Sequence, residues 1–287
     1  MLITFGMKIL DNIKNMKIYV LGASGMLGKY VSTYLKQKFY VIDINRNKID
    51  AANLKQEELH AKLFHLGLKS GDVVINCMGT IKPMVDALGD LNAIQVNSVF
   101  PRILANVSEE IGAHLIHPTT DCVYSGLKGS YSENDKYDVS DVYGMSKAMG
   151  EPSNCTVIRT SIIGEEVNQG RSLVEWVKSS ANKTVNGFTN HNWNGVTCLQ
   201  FAKICEELIN NNNYWVGTKH IHSNTLNKQE LVQTISDVYE LNITVEPKET
   251  PIKCDRSMST IHDTGIKVPT LLEQIKDMKD FSDKLYA

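Results

Sequence analysis

Ile18-Tyr19-Val20-Leu21-Gly22-Ala23-Ser24-Gly25-Met26-Leu27-Gly28 passes from a β-branched apolar run, through a glycine-spaced loop, into an apolar-periodic stretch that continues to Leu35. The pattern reads as strand, tight turn, helix. Glycines at 22, 25 and 28 lack a Cβ, so the backbone can come close to a pyrophosphate seated at the helix N-terminus. Gly22, Ser24, Gly25, Met26, Leu27 and Gly28 are therefore the expected dinucleotide-binding segment.

Outward from this loop, apolar runs recur at Phe39–Ile44, Val73–Ile75, Leu115–Ile116 and Thr156–Ile158. Helical stretches around Gln56–Leu66, Ile94–Ile111 and Tyr143–Gly150 alternate with them. Continuously apolar strands separated by helices indicate a parallel sheet covered on both faces. The expected fold is thus α/β, a Rossmann-type doubly wound parallel sheet. After Gly164 the rhythm changes to helical patches at Ser172–Ser180, Leu199–Ile209, Lys228–Tyr239 and Thr270–Met278, with Ile243–Val245 as a short strand candidate. This gives three expected regions: an extension over 1–15, a dinucleotide domain over 16–164, and a smaller, mainly helical substrate lobe over 165–287, with the chain free to cross back between lobes.

The 287 residues are 42% hydrophobic, enough for a sizeable core, and carry a formal charge of -2 from intermixed acids and bases. No basic field is available for nucleic acid. Six cysteines are scattered without a CxxC pair, which fits reduced thiols in a cytoplasmic protein and no metal site. Residues 1–15 lack a secretory apolar core, and no run reaches membrane-spanning length, so no membrane partner is expected.

The second strand ends in Ile42-Asp43-Ile44-Asn45-Arg46, where the adenosine ribose should lie. Asp43 would favour NAD through the ribose hydroxyls, and Arg46 the 2′-phosphate of NADP. Arg46 sits just beyond the strand, with Asn45 beside it, and is preferred. Asp50 is a candidate for the adenine amino group, and Cys77-Met78-Gly79 should pass under the cofactor.

Tyr143-Gly144-Met145-Ser146-Lys147 places a phenol and an ammonium four apart, on one helix face. The Lys147 charge would lower the Tyr143 pKa and let the phenol give a proton to a substrate oxygen while contacting the nicotinamide. Upstream, Pro118-Thr119-Thr120-Asp121-Cys122 puts a hydroxyl at a strand end, and Thr120 is expected to polarise the same carbonyl.

In this order and spacing, the three elements resemble the extended short-chain dehydrogenase/reductase superfamily over residues 17 to about 164. Thr119-Thr120-Asp121, Tyr143–Glu151, Arg159-Thr160-Ser161 and Cys254-Asp255-Arg256-Ser257 look like dTDP-4-dehydrorhamnose reductases and related nucleotide-sugar reductases. The resemblance implies NADPH, with NADH as the alternative, a UDP- or dTDP-linked 4-keto-6-deoxy sugar, a homodimer, and catalytic Thr120, Tyr143 and Lys147.

Cys122 departs from the rhamnose reductases, which usually carry an aromatic residue there, and is similar to GDP-fucose synthase and plant-type rhamnose synthases, which epimerise before reducing. Two positions apart on an extended segment, Thr120 and Cys122 would share a face, and a Cys122 thiolate would remove a proton beside the ketone. Reprotonation from the other side needs a second acid. His191, in the polar loop with Trp193, is preferred over Glu175 and Lys178. Arg171 and Arg256 are expected on the diphosphate, and Lys82 and Trp193 elsewhere on the substrate. Two other readings stand beside this one: an NADP-binding regulatory subunit of the methionine adenosyltransferase type, and a nonreductive NAD-dependent sugar epimerase.

Overall fold

The computed structural model describes residues 16–166 and 172–286, so the 1–15 extension and Arg171 lie outside the described residues. Strand β1 (Lys17–Leu21) turns through Gly22–Gly25 into helix α1 (Met26–Leu35), followed by β2 (Tyr40–Ile44), α2 (Gln56–His65), β3 (Val73–Asn76), α3 (Lys82–Leu88) and α4 (Phe100–Ile111). Next come β4 (His114–Thr120), α5 (Val142–Met149), β5 (Thr156–Thr160), β6 (Ile162–Ile163), α6 (Leu173–Ser179), β7 (Thr184–Phe188), β8 (His191–Trp193), β9 (Val196–Thr197) and α7 (Cys198–Asn211). The chain ends through β10 (Gly217–His220), β11 (Leu226–Asn227), α8 (Lys228–Tyr239), β12 (Thr244–Lys248), β13 (Cys254–Asp255) and α9 (Leu271–Tyr286).

A six-stranded sheet runs in the order β10-β5-β4-β3-β1-β2. β1 pairs in parallel with both β2 and β3, and β3 with β4. From β1 the chain goes first to β2 on one side and then to β3 on the other, so a topological switch point lies at the carboxyl ends of β1 and β3. That crevice is where the Gly22 loop emerges. β3 is buried throughout and β1 from its second residue on, as the continuous apolar runs require of strands covered on both faces. Tyr19, Leu21, Ile44, Leu59, Leu63, Val74, Phe100, Leu104, Leu115 and Val157 form one buried cluster. Each such side chain contributes roughly 1.5–3 kcal/mol by leaving water.

The chain divides into two compact units. The first holds residues up to Pro118, Met149–Val157 and Ile204–Thr218, and the second Thr119–Ala148, Ile158–Lys203 and Lys219 onward. The chain passes repeatedly between units, and β4, β5 and β10 each run from one into the other. Thr120, Tyr143 and Lys147 accordingly fall in the second unit and the glycine loop in the first.

The second unit is richer in strands than the sequence pattern suggested. It contains a three-stranded sheet, β11-β8-β13, and the pairs β12-β7 and β6-β9. These strands are two to five residues long, and β8 reads His191-Asn192-Trp193. With so few residues and mixed polarity, they show no alternation that a sequence window can register. No helix among the described residues is long and apolar enough to cross a membrane.

Candidate active site

In the first unit, Gly22 has φ +75°, a conformation disfavoured for L side chains, and an added Cβ would lie 3.0 Å from the Cys77 carbonyl carbon. Gly28 is more constrained: its Cβ would fall 2.1 Å from the Gly22 carbonyl oxygen. α1 therefore presses against the turn only because residue 28 is glycine. Gly25 is the N-cap of α1, without a side-chain cap bond, and no acidic residue occupies the first turn. Ser24 and Gly25 are exposed, and Met26 and Leu27 half-buried. These features fit a pyrophosphate at the helix N-terminus, since no side-chain carboxylate competes for the free N–H groups.

Asp43 is committed elsewhere, accepting from Ser32 Oγ at 2.5 Å and pairing with Lys36 Nζ at 2.5 Å. It is thereby withdrawn from ribose hydroxyls. The Arg46 side chain is 74% exposed, with Nε 3.5 Å from Asp50 Oδ1, so Arg46 and Asp50 hold each other rather than acting apart. Asn45 Oδ1 is buried without a hydrogen-bond partner, an orphaned acceptor beside the loop. The Cys77 backbone N–H donates to Leu21 O at 2.9 Å, and that of Met78 to Asn76 Oδ1 at 3.2 Å, which fixes the turn beneath Gly22. Burial pushes the Cys77 thiol far up, so it stays neutral. Gly79 is exposed, as is Lys82, the first residue of α3.

In the second unit, β4 ends at Thr120 and breaks at once into a 3-10 turn, Asp121–Val123. Thr120 Oγ1 caps that turn, accepting from the Cys122 N–H at 3.1 Å, and its hydroxyl lies 3.1 Å from Asp121 Oδ1. Cys122 is therefore not two steps along an extended strand from Thr120, as expected; the cap bends the chain first. α5 closes onto this turn through Gly144, whose Cβ would meet the Cys122 carbonyl oxygen at 2.3 Å. Asp141 Oδ1 accepts from the Gly144 N–H at 2.9 Å and anchors the start of the helix. The result brings the helix that carries Tyr143 against the turn that follows Thr120. Burial raises the phenol pKa, with Cys122, Asp121 and Asp141 adding to the rise and the Thr120 bond opposing it. This reverses the expected lowering: the phenol of this structure is a firmly protonated acid. Lys147 lies half-buried one turn on, along α5.

The three-stranded sheet completes the second unit's polar cluster. β8 pairs antiparallel with β11, Leu226 opposite Trp193, and parallel with β13, Cys254 opposite His191. Alternation places His191, Trp193 and Cys254 on one face and Asn192 and Asp255 on the other, where Asn192 Nδ2 donates to Asp255 Oδ2 at 2.8 Å. Arg256 follows on the first face, and its Nε donates to Tyr124 O at 2.9 Å. Gly126, φ +89°, admits this strand, since a Cβ there would be 2.8 Å from Cys254 Sγ. Tyr124 is held in turn by buried Arg159, whose Nη1 donates to its hydroxyl at 2.7 Å.

Two expectations change here. His191 Nε2 is 2.7 Å from Thr250 Oγ1, its ring packs on Phe188 at 4.9 Å, and burial lowers its pKa. The ring is thus tied to the loop that carries Thr250. Burial, reinforced by the Asp121 charge, pushes the Cys122 thiol up to about 12, so it is a thiol where a thiolate was expected. Two groups escaped the sequence reading. Asp121 is 3% exposed; burial raises its pKa, while a Ser161 hydrogen bond and the charges of Arg256 and Lys228 work the other way. Lys228 lies with Nζ 5.2 Å from the centre of the Trp193 ring. Its sequence signal was a cation at the first position of the Lys228–Tyr239 helix, the end a helix dipole disfavours for positive charge.

The RmlD substrate binding domain family matches residues 16–258. The chain belongs to this family. It is 32% identical over 155 residues to the spore coat polysaccharide biosynthesis protein SpsK of Bacillus subtilis, a match spanning 50% of this chain and 52% of that one. It is 24% identical over 254 residues to methionine adenosyltransferase 2 subunit beta of Rattus norvegicus, covering 80% of this chain and 74% of the relative. The crystal structure of dTDP-4-dehydrorhamnose reductase from Bacillus anthracis, in complex with NADP, superposes with TM-score 0.76 over 92% of this chain and 99% of its own, at 18% identity. At that identity the superposition establishes the fold, which this member of the RmlD family shares.

Proposed function

We propose that this RmlD-family chain reduces the 4-keto group of a UDP- or dTDP-linked 4-keto-6-deoxy sugar with NADPH, after epimerising the carbon beside the ketone, in L-rhamnose-type or acetamido-L-sugar biosynthesis. The observation that carries the reading is the packing of the Tyr143 helix on the turn after Thr120, where a Cβ on Gly144 would lie 2.3 Å from the Cys122 carbonyl oxygen. NADPH, when bound, supplies a hydride to the ketone carbon. As the carbonyl opens, Tyr143 gives its phenolic proton to the oxygen, and the Thr120 hydroxyl, turned from Asp121 to the substrate, polarises the same oxygen. Lys147, one turn along α5, supplies positive charge on the same side. Glycines 22, 25 and 28 seat the pyrophosphate, and Arg46 meets the 2′-phosphate. The engagement of Asp43 with Ser32 and Lys36 supports NADPH over NADH. Arg256 takes the diphosphate and Trp193 lines the sugar side. The active form is a homodimer in the cytoplasm.

The deciding experiment is incubation of the purified chain with NADPH and a panel of UDP- and dTDP-4-keto-6-deoxy sugars, with products read by NMR. Ketone-dependent NADPH oxidation and a reduced sugar are expected. No oxidation with any member would sink the reading. A second reading, an NADP-binding regulatory subunit, is favoured by the 254-residue match to the methionine adenosyltransferase subunit. It calls for stable association with a synthetase and no turnover.

A further inference from the structure

Asn190, Asn192 and Asn194 alternate with His191 and Trp193 along and beside β8, and the reduction described above gives none of them a task. Each carboxamide carries donors and an acceptor, as a peptide unit does. All three spend them on the return segment 250–258. Asn190 Nδ2 donates to Thr250 O at 2.8 Å, and its Oδ1 accepts from Thr250 N at 3.2 Å. Asn192 Nδ2 donates to Asp255 Oδ2 at 2.8 Å, while Asp255 Oδ1 accepts from Ser257 N at 3.0 Å and Ser257 Oγ at 2.6 Å. Asn194 Nδ2 donates to Met258 O at 2.7 Å, and its Oδ1 accepts from Met258 N at 2.9 Å. Two main-chain bonds lie between these stitches, Cys254 N to Asn190 O at 3.1 Å and Arg256 N to Asn192 O at 3.2 Å. β13 is only two residues long and Pro251 has no N–H to give, so the carboxamides supply much of what holds this segment in register on β8.

The segment's other edge is held as well: Asp255 N donates to Gly126 O at 2.7 Å, Tyr131 N to Ser257 O at 2.9 Å and Ser259 N to Tyr131 O at 2.8 Å. Arg256 stands between the two edges. Its side chain leaves on the Trp193 face, opposite Asn192 and Asp255, and its Nε donates to Tyr124 O at 2.9 Å. Among the described residues, neither Nη of Arg256 makes a hydrogen bond or ion pair. A guanidinium steered through Nε, with its outer nitrogens uncommitted, presents a fixed set of donors that suits phosphate oxygens. We propose that Asn192 and Asn194 are positioning residues for the nucleotide diphosphate: by stitching residues 255–258 to β8 they fix the point from which Arg256 reaches it. This rests on the sugar-reductase reading above, which gives the diphosphate to Arg256. The asparagines act through Arg256 and touch no ligand themselves. A segment ordered before the ligand arrives avoids the entropic cost of ordering at the moment of binding.

The test is a double-mutant cycle on the full chain, read by calorimetric titration of UDP and of dTDP and by steady-state kinetics with a 4-keto-6-deoxy nucleotide sugar. N192A should weaken the nucleotide that the wild type binds by about tenfold and raise KM for the sugar alike, with kcat and NADPH affinity within about twofold of wild type. In R256A, itself weakened by at least as much, adding N192A should change nothing further, because no guanidinium remains to be placed. N194A should repeat the pattern; its carboxamide is buried, so if circular dichroism shows it unfolded, N192A alone decides. Wild-type nucleotide affinity in N192A, or a full further loss when N192A is added to R256A, would overturn the assignment. Wild-type affinity in R256A overturns it too, and leaves the reductase standing if ketone-dependent NADPH oxidation persists. A wild type that shows the coupling on UDP or dTDP yet oxidises no NADPH with any sugar loses the reductase reading and keeps the Asn192–Arg256 pair. If it neither binds nor oxidises, both fall.

Discussion

Gly144 and Cys122 are in contact through backbone alone: a Cβ on residue 144 would sit 2.3 Å from the Cys122 carbonyl oxygen and 2.5 Å from Val139 Cγ2. The glycine inside the YxxxK helix thus sets how near Tyr143 comes to Thr120. Gly144→Ala should force α5 away from the 3-10 turn, costing about 1–3 kcal/mol of stability as an overpacked contact. Turnover should fall about a hundredfold, because a displacement near 1 Å is enough to misalign a catalytic group. Thermal unfolding and steady-state kinetics on one preparation check both, and wild-type kinetics in a folded variant would contradict the geometric argument.

Tyr143→Phe removes the proton donor and keeps the ring. Ketone reduction should drop by roughly 10²–10⁴-fold while the fold survives, the range expected for loss of a general acid. Because burial raises the phenol pKa, the wild-type rate should not be lost below neutral pH through this group, and it should decline only on the alkaline side as the phenol ionises. A pH profile of kcat/KM, read against circular dichroism of the variant, settles it.

In the proposed cofactor site, Arg46 and Asp43 stand where the choice between NADPH and NADH would be made. Arg46→Ala should weaken NADPH relative to NADH by about tenfold, the scale of one charge-assisted phosphate contact. Asp43→Asn should change the ratio little, since its carboxylate is spent on Ser32 and Lys36. Fluorescence titration of both nucleotides measures the ratio, and an unchanged preference in Arg46→Ala would place the 2′-phosphate elsewhere.

Glu133 ties distant segments of the second unit together. Its carboxylate accepts from His220 N at 2.7 Å, Thr260 Oγ1 at 2.6 Å and Ile261 N at 3.0 Å. Burial alone would raise its pKa, but these bonds outweigh burial and lower it to about 2. With the folded value below the unfolded one, the stabilisation is fully present above the unfolded pKa, near 4.5, and is lost as pH falls toward about 2. For a partly exposed group, solvent screening leaves about 1–2 kcal/mol. Glu133→Gln should show that loss at neutral pH and a flatter acid-unfolding curve, measured by denaturant titration across the acid range.

The parts of this protein that depend on neighbours in sequence were readable without coordinates. Glycines at 22, 25 and 28 report their own steric freedom, and Tyr143 and Lys147 are one helical turn apart in any α-helix, so the close turn and the spacing of the proposed catalytic pair follow from local geometry. The buried runs of β1 and β3 announce a parallel sheet for the same reason. The tertiary structure alone decided the protonation states and the partners. Cys122 became a thiol in a 3-10 turn because Thr120 caps it and burial surrounds it; His191 became a packed imidazole because Thr250 comes to lie beside it. Lys228 came into view because a short sheet sets residues 191, 193, 226 and 254 side by side. Charge and desolvation act through space, and no window of sequence records which distant residues will share that space.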